Sequence, residues 1–255
     1  MHITKAQIKR FRSLRQKKYR AEEGLFVAEG RKCVEALFAR FRSGYVIVRE
    51  ETMITDLPSN MQVLEASSKE MEQLSQLQTP PDVLAVFAVP ANEMPMPECV
   101  NLARKELVIV LDEVQDPGNL GTIIRTADWF GVHHIVCSET TADVYNNKVV
   151  QATMGSLARV SVHYQNLDLF LSQAKNASLP IYGTLLNGTN VYSTPLSPAG
   201  ILMMGNEGKG ISPLLRQYIT SPLLIPSYPA FEPTAESLNV AVATAIVLAE
   251  FRRRL

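Results

Sequence analysis

Five apolar residues in a row, Leu-Val-Ile-Val-Leu at 107–111, run straight into Asp112 and Glu113. A short run with no polar alternation reads as a strand buried on both faces, the habit of a parallel sheet. Parallel strands need a crossover between them, so the rest of the chain has to supply helices in alternation. It does. After the run come a helix in LGTIIRTADWFG ended by Gly131, strand HHIVCS, helix NNKVVQATMGSLA, strand VSVHY and helix LDLFLSQAKNA. Strands PIYGTLL and ILMMG, helix ISPLLRQYI, strand PLLIP and a last helix SLNVAVATAIVLAEFRRRL complete the order. The expected fold class from residue 106 to 255 is α/β, with a mostly parallel sheet flanked by helices.

The chain before it has a different texture. YVIVRE, MQVLEAS and DVLAVFAVP read as short strands, and GLFVAEGRKCVEALFAR as a strand and a helix with Gly30 at the turn. SKEMEQLSQL reads as a helix between the last two strands. This is a smaller α/β unit over residues 1–90. The segment 91–105 follows Pro90 and holds Pro95 and Pro97 with few large apolar residues, and reads as a linker. At the front, ITKAQIKRFRSLRQKKYR carries eight basic residues and no acid. Ile3, Ile8, Phe11 and Leu14 form one apolar stripe of a helix. Lys9, Arg10, Arg12, Arg15, Lys17, Lys18 and Arg20 are the candidate phosphate-facing residues.

That local charge matters because 25 Lys and Arg balance 25 Asp and Glu, so a nucleic-acid surface has to come from segregated charge. The cysteines, Cys33, Cys99 and Cys137, are far apart and odd in number, and read as buried small hydrophobes of a reducing compartment. Neither they nor the four histidines have metal-ligand spacing, so no metal is expected. The N-terminus lacks an apolar signal core and VAVATAIVLAEF is too short to span a bilayer. The expectation is a cytoplasmic protein without a membrane partner.

In open parallel sheets ligands bind beyond the carboxyl ends of the strands. Three strand-end segments stand out. In DPGNLGTIIRTADWFG, Asn119 is placed to cap the helix, Gly121 permits close approach, and Arg125 follows one turn on. Arg125 either grips an anion or pairs with Asp128 or Glu113. In ILMMGNEGKGIS the glycines fall at 205, 208 and 210, which fits neither a P-loop nor a dinucleotide fingerprint. Glu207 would repel a phosphate there, so the segment suits a ligand that is uncharged or cationic at that point. In IPSYPAFEPTAESLNVAVATA, Ser237 occupies the expected N-cap and Asn239 the first turn. No catalytic triad or paired-carboxylate set emerges.

Together the three segments resemble the three motifs of the SpoU (TrmH-type) RNA ribose 2′-O-methyltransferases of the SPOUT superfamily. Asn119, Gly121 and Arg125 match the first motif, Gly205-Asn206-Glu207 with Gly210 the second, and Ser237-Leu238-Asn239-Val240 the third. KYRAEEGLFVAEGRKCVEALFAR and QTPPDVLAVFAVP are similar to the L30e-like substrate-binding domain that precedes the catalytic domain in many members. Asp82 and Ala241 depart from the usual glycine and serine. The resemblance implies a deep trefoil knot in 106–255, a homodimer through that region, and S-adenosylmethionine as the methyl donor. It implies catalytic roles for Arg125, Asn119, Glu207, Ser237 and Asn239, with Arg125 also on the RNA. It implies cofactor contacts from Met204, Gly205, Asn206, Gly208, Ile225, Pro226, Ser237 and Leu238. The substrate would be RNA and not DNA, which lacks the 2′-OH. Ribosomal RNA is favoured over transfer RNA. The rival readings are a non-catalytic RNA-binding or ribosome-assembly protein of the same fold, and a Rossmann-like enzyme on a small metabolite.

Overall fold

A computed structural model describes residues 1–52, 54, 57, 61–90, 94–229 and 235–253. It divides into two compact units, Met1–Asn92 with Asp143–Arg159, and Glu93–Ala142 with Val160–Leu255.

The first unit is built on four strands, β1 (Leu25–Glu29), β2 (Ser43–Arg49), β3 (Gln62–Ala66) and β4 (Val83–Ala88). They lie in the order β1-β4-β2-β3, with β4 antiparallel to both neighbours and β2 parallel to β3. The expected basic helix is two helices, α1 (Lys5–Ser13) and α2 (Lys17–Glu23). Gln16 between them is extended, which breaks the run. Ile3, Ile8, Phe11 and Leu14 are buried with Leu64, Leu84 and Val86, so the apolar stripe is real. Each such side chain taken from water stabilises the unit by about 1.5–3 kcal/mol.

Arg20 explains the break. It is 4% exposed, and one terminal nitrogen donates to the carbonyls of Leu14 and Arg15 at 2.8 and 2.9 Å. Those are carbonyls that the end of α1 leaves without helical partners. Its other side grips Asp143 at 2.5 and 3.1 Å. Gly30 sits at φ +88° at the start of α3 (Arg31–Leu37), where the turn was expected. Helix α4 (Ser68–Leu74) begins in a capping box of Ser67 and Glu70.

The segment Asp143–Arg159 lies inside the second region of the sequence but packs with the first unit. It holds α7 (Asn147–Ala152) and a 3-10 turn, Ser156–Ala158. Tyr145 packs on Phe26 with ring centroids 4.8 Å apart and the planes tilted by 37°, and Asn147 donates to the buried carboxylate of Glu29 at 3.4 Å.

The second unit opens with α5 (Met96–Ala103), a helix where the prolines had suggested a linker. Pro95 is its N-cap and Pro97 lies in its first turn, where a missing N–H has no helical partner to lose. Cys99, Val100 and Ala103 are buried on it. The adjoining residues 91–93 are outside the described residues. Six parallel strands follow: β5 (Leu107–Leu111), β6 (His134–Cys137), β7 (Ser161–Tyr164), β8 (Ile181–Asn190), β9 (Gly200–Met204) and β10 (Ser221–Leu224). Their order is β10-β8-β9-β5-β6-β7, and every residue of β5 and β9 is buried, as the opening run required. The described helices of this unit are α5, α6 (Pro117–Trp129), α8 (Leu167–Asn176), α9 (Pro213–Arg216) and α10 (Val240–Arg253). The path that a trefoil knot would require includes residues 230–234, outside the described residues.

All three cysteines are buried, and burial pushes the Cys33 thiol up to about 11. Among the described residues no helix is long and apolar enough to cross a membrane.

Candidate active site

Strands β5, β9 and β10 are parallel, so their carboxyl ends lie at one edge of the sheet. Each is followed by one of the three segments singled out in the sequence.

After β5, Asp116 and not Asn119 caps α6. Its carboxylate accepts from the Asn119 amide at 2.8 Å, and Pro117 takes the first helical position. Asn119 is therefore inside the first turn, which frees its side chain. Arg125 stands exposed on α6, one turn beyond Gly121. It forms no ion pair with Asp128 or Glu113 and no hydrogen bond to a described residue, so its planar fork is open to solvent.

After β9 the chain makes a tight hairpin. Asn206 and Gly210 exchange backbone bonds at 3.1 and 2.9 Å. The Asn206 side chain accepts from the amides of Gly208 and Lys209, both at 3.0 Å, and donates to the Glu113 carbonyl at 2.8 Å. Its amide is thus committed to the loop, and any cofactor contact from Asn206 has to come from its backbone. A side chain on Gly205 would overlap the backbone of Gly210 and Ile211, so glycine is obligatory there.

After β10, α10 begins at Val240, and Asn239 is the cap in place of Ser237. The Asn239 side chain accepts from the amides of Ala241 and Val242 at 2.9 and 3.2 Å. Ser237 and Leu238 lie upstream, exposed at the rim of the cavity. Residues 230–234 of this segment are outside the described residues.

Side chains tie the three segments together. Glu207 accepts from the Asn119 side-chain amide at 3.1 Å and from the backbone amides of Asp116 and Gln115 at 3.3 and 3.5 Å. Asn119 in turn accepts from the Asn239 amide at 2.9 Å. A carboxylate is favourable at the positive end of α6, which answers why a glutamate sits among glycines. The chain Glu207–Asn119–Asn239 unites three of the expected catalytic residues. Arg125 and Ser237 are not bonded into it.

Beside this chain lies a cavity of about 510 Å³. Met204, Gly205, Asn206, Gly208, Ile225, Ser237 and Leu238, seven of the eight expected cofactor residues, line it, and Pro226 does not. A fourth wall was missed in the sequence. The partners of β10 jump from Gly183 to Thr189 between Pro222 and Leu223, which leaves 184–188 bulged out of the ladder. Thr184, Leu185, Leu186 and Asn187 of the bulge line the cavity. The available signal was the pair Gly183 and Gly188, since a side chain on Gly188 would clash with the backbone of Leu223. The apolar walls and backbone groups suit a flat heterocycle with a short polar chain.

The basic residues of the first unit divide. Arg20 is buried on Asp143. Arg15 donates to the carbonyls of Gln73, Leu74 and Ser75 at 2.7 to 3.1 Å, and burial followed by the nearby Arg12 lowers its pKa. Arg10 holds Glu23 at 2.6 Å. Lys9, Arg12, Lys17 and Lys18 remain exposed.

A mostly parallel sheet with three linked strand-end loops, preceded in the sequence by a smaller α/β unit, is the architecture of a SPOUT methyltransferase. The sequence profile of the SpoU rRNA methylase family matches residues 106–249, and that of the MRM3-like substrate binding domain matches residues 5–85. The chain belongs to the SpoU rRNA methylase family. It is 34% identical, over 96% of each chain, to the 23S rRNA (guanosine(2553)-2′-O)-methyltransferase of Bacillus subtilis. A solved structure from Porphyromonas gingivalis, assigned to the TrmH family of RNA methyltransferases, is 38% identical over the whole of both chains, with a TM-score of 0.88. An rRNA methyltransferase from Sinorhizobium meliloti, solved with AdoMet bound, is 30% identical over 100% of this chain and 97% of that one, with a TM-score of 0.84.

Proposed function

We propose that the chain transfers the methyl group of S-adenosylmethionine to a ribose 2′-OH of ribosomal RNA. The observation that carries this is the Glu207–Asn119–Asn239 chain, which locks three strand-end loops around a glycine-lined cavity and leaves Arg125 free. When bound, S-adenosylmethionine supplies a sulfonium methyl group for in-line attack. Met204, Gly205, Gly208, Ile225 and Leu238 hold it, largely through backbone, and Asn206 holds the loop.

The protein's task is to hold the 2′-oxygen in line with that methyl and to help its proton leave. Arg125 is the phosphate-binding group: exposed, unpaired among the described residues, and set on the helix whose first turn carries Asn119. A guanidinium is a poor base, so Arg125 acts by position and charge. Glu207 faces the backbone and amide donors of α6, which makes it a positioning group for Asn119 and Asn239. Ser237 at the rim is placed to touch either the donor or the target ribose.

The unit spanning the first ninety residues is the RNA substrate-binding part. The catalytic unit forms a homodimer; Trp129 on α6 and Val242 on α10 are exposed apolar residues of that unit. The location is cytoplasmic, with the RNA.

The test is methyl transfer from labelled S-adenosylmethionine to ribosomal RNA. Arg125→Ala is expected to lose transfer while keeping cofactor binding; an active alanine variant removes Arg125 from the mechanism. Mapping lost 2′-O-methyl groups in a deletion strain identifies the nucleotide. A lost site in transfer RNA would overturn the ribosomal assignment.

A further inference from the structure

Among the described residues three charged side chains line the cavity: Glu207, Lys209 and Arg216. Glu207 is taken up by α6 and Asn119. Lys209 is exposed at the hairpin tip, and among the described residues no contact fixes its side chain. Arg216 is different. Its Nε donates to the Ile211 carbonyl at 2.7 Å, a bond that orients the guanidinium plane. One terminal nitrogen then lies 3.9 Å from where a side chain on Gly210 would begin, so the fork stands over the hairpin wall. Among the described residues no carboxylate pairs with it. An anchored, unpaired guanidinium in a ligand cavity is a receptor for a planar anion.

The methyl donor carries one anion. Its sulfonium and ammonium groups are positive, and its α-carboxylate is the group that a cavity with two unpaired cations would select. We propose that Arg216 receives the α-carboxylate of the cofactor, through the two terminal nitrogens left free by its bond to Ile211. This rests on the cofactor reading above and deepens it. Arg216 thereby selects the intact amino-acid tail, and fixes that end of the donor while the adenosyl end meets the apolar and backbone walls. Lys209, with three mobile donors and no anchor, contributes only general positive charge.

The test is calorimetric binding of S-adenosylmethionine, decarboxylated S-adenosylmethionine and 5′-methylthioadenosine to the full chain and to Arg216→Met. The wild type is expected to bind S-adenosylmethionine roughly tenfold to hundredfold more tightly than the decarboxylated form, the range for a charge-assisted pair at a partly exposed site. Arg216→Met should lose that preference by weakening only the carboxylate-bearing ligand. Arg216→Lys should restore part of it, lacking the fork. Equal weakening of all three ligands would show that Arg216 only braces the hairpin, and would overturn the proposal. So would unchanged cofactor binding with weakened RNA retention, which would move Arg216 to a phosphate. A wild-type chain that binds none of the three sinks the cofactor reading itself, and the role of Arg216 with it.

Discussion

Asn119 carries two bonds of opposite sense, donating to Glu207 and accepting from Asn239. Only an amide does both in that space. Asn119→Ala leaves the Asn239 side-chain amide without its acceptor and Glu207 with only its backbone donors, at about 1–3 kcal/mol for a polar group left unpaired where it is shielded from water. Asn119→Asp is expected to be worse, because it keeps the acceptor but sets a second carboxylate against Glu207. Single-turnover methyl transfer should fall roughly tenfold to a hundredfold in the alanine variant and further in the aspartate variant. An aspartate variant faster than the alanine one would show that the chain is not what holds the loops. Spacing placed Asn119 at the right end of the helix but gave it the wrong job. Pro117 fixes the register of α6 so that Asp116, three residues before Asn119, is the cap, and a slip of two positions assigned Ser237 the role Asn239 performs. Which residues meet in space came from the family motifs, since bonds across some ninety to 120 positions leave no local trace.

The hairpin 205–211 is where element geometry and chemistry coincide. Its two strands approach so closely at Gly205 that no side chain fits, and Gly210 adopts φ +67°. Gly205→Ala should open the hairpin, move Glu207 away from α6 and lower cofactor affinity at least tenfold, by a cost of over 1.4 kcal/mol for the forced backbone shift. The sheet should survive, because β9 is buried along its whole length. Calorimetry with the cofactor and far-UV circular dichroism together check this; full affinity in the alanine variant would contradict the packing. Elements with one dominant pattern were legible: the apolar β5 and β9, the alternating helices, the four strands of the first unit. Those that depend on partners were not. Helix α5 hides among prolines that happen to fall in its cap and first turn. The bulge at 184–188 arises from a register jump against β10, and α7 with its flanks leaves its own stretch of sequence to pack on β1 and α2. Arg20 looked like a phosphate contact because charge is visible in a sequence and burial is not.

At the scale of the whole molecule, 25 positive and 25 negative side chains give no net attraction to RNA, so affinity rests on where charge gathers. The basic front segment supplies less than its composition promised. Of the seven candidates there, Arg20 and Arg15 hold the fold together and Arg10 is paired with Glu23. Removing residues 1–20 is therefore the wrong experiment, because it would strip Ile8, Phe11 and Leu14 from the core and unfold the unit. The informative variant changes Lys9, Arg12, Lys17 and Lys18 to glutamine together, all exposed and none part of the core. If these four meet phosphates, the slope of log affinity against log salt should flatten by about 3, at roughly 0.7 per contact on single-stranded RNA. The melting temperature should hardly move. Arg20→Gln should behave in the opposite way: it takes the cation from Asp143, which keeps only the Tyr145 amide, and leaves two carbonyls unpaired, costs about 3–5 kcal/mol of stability, and lowers RNA binding only as far as the unit unfolds. An unchanged salt slope in the fourfold variant, with its melting intact, would place the RNA-facing charge elsewhere on the molecule.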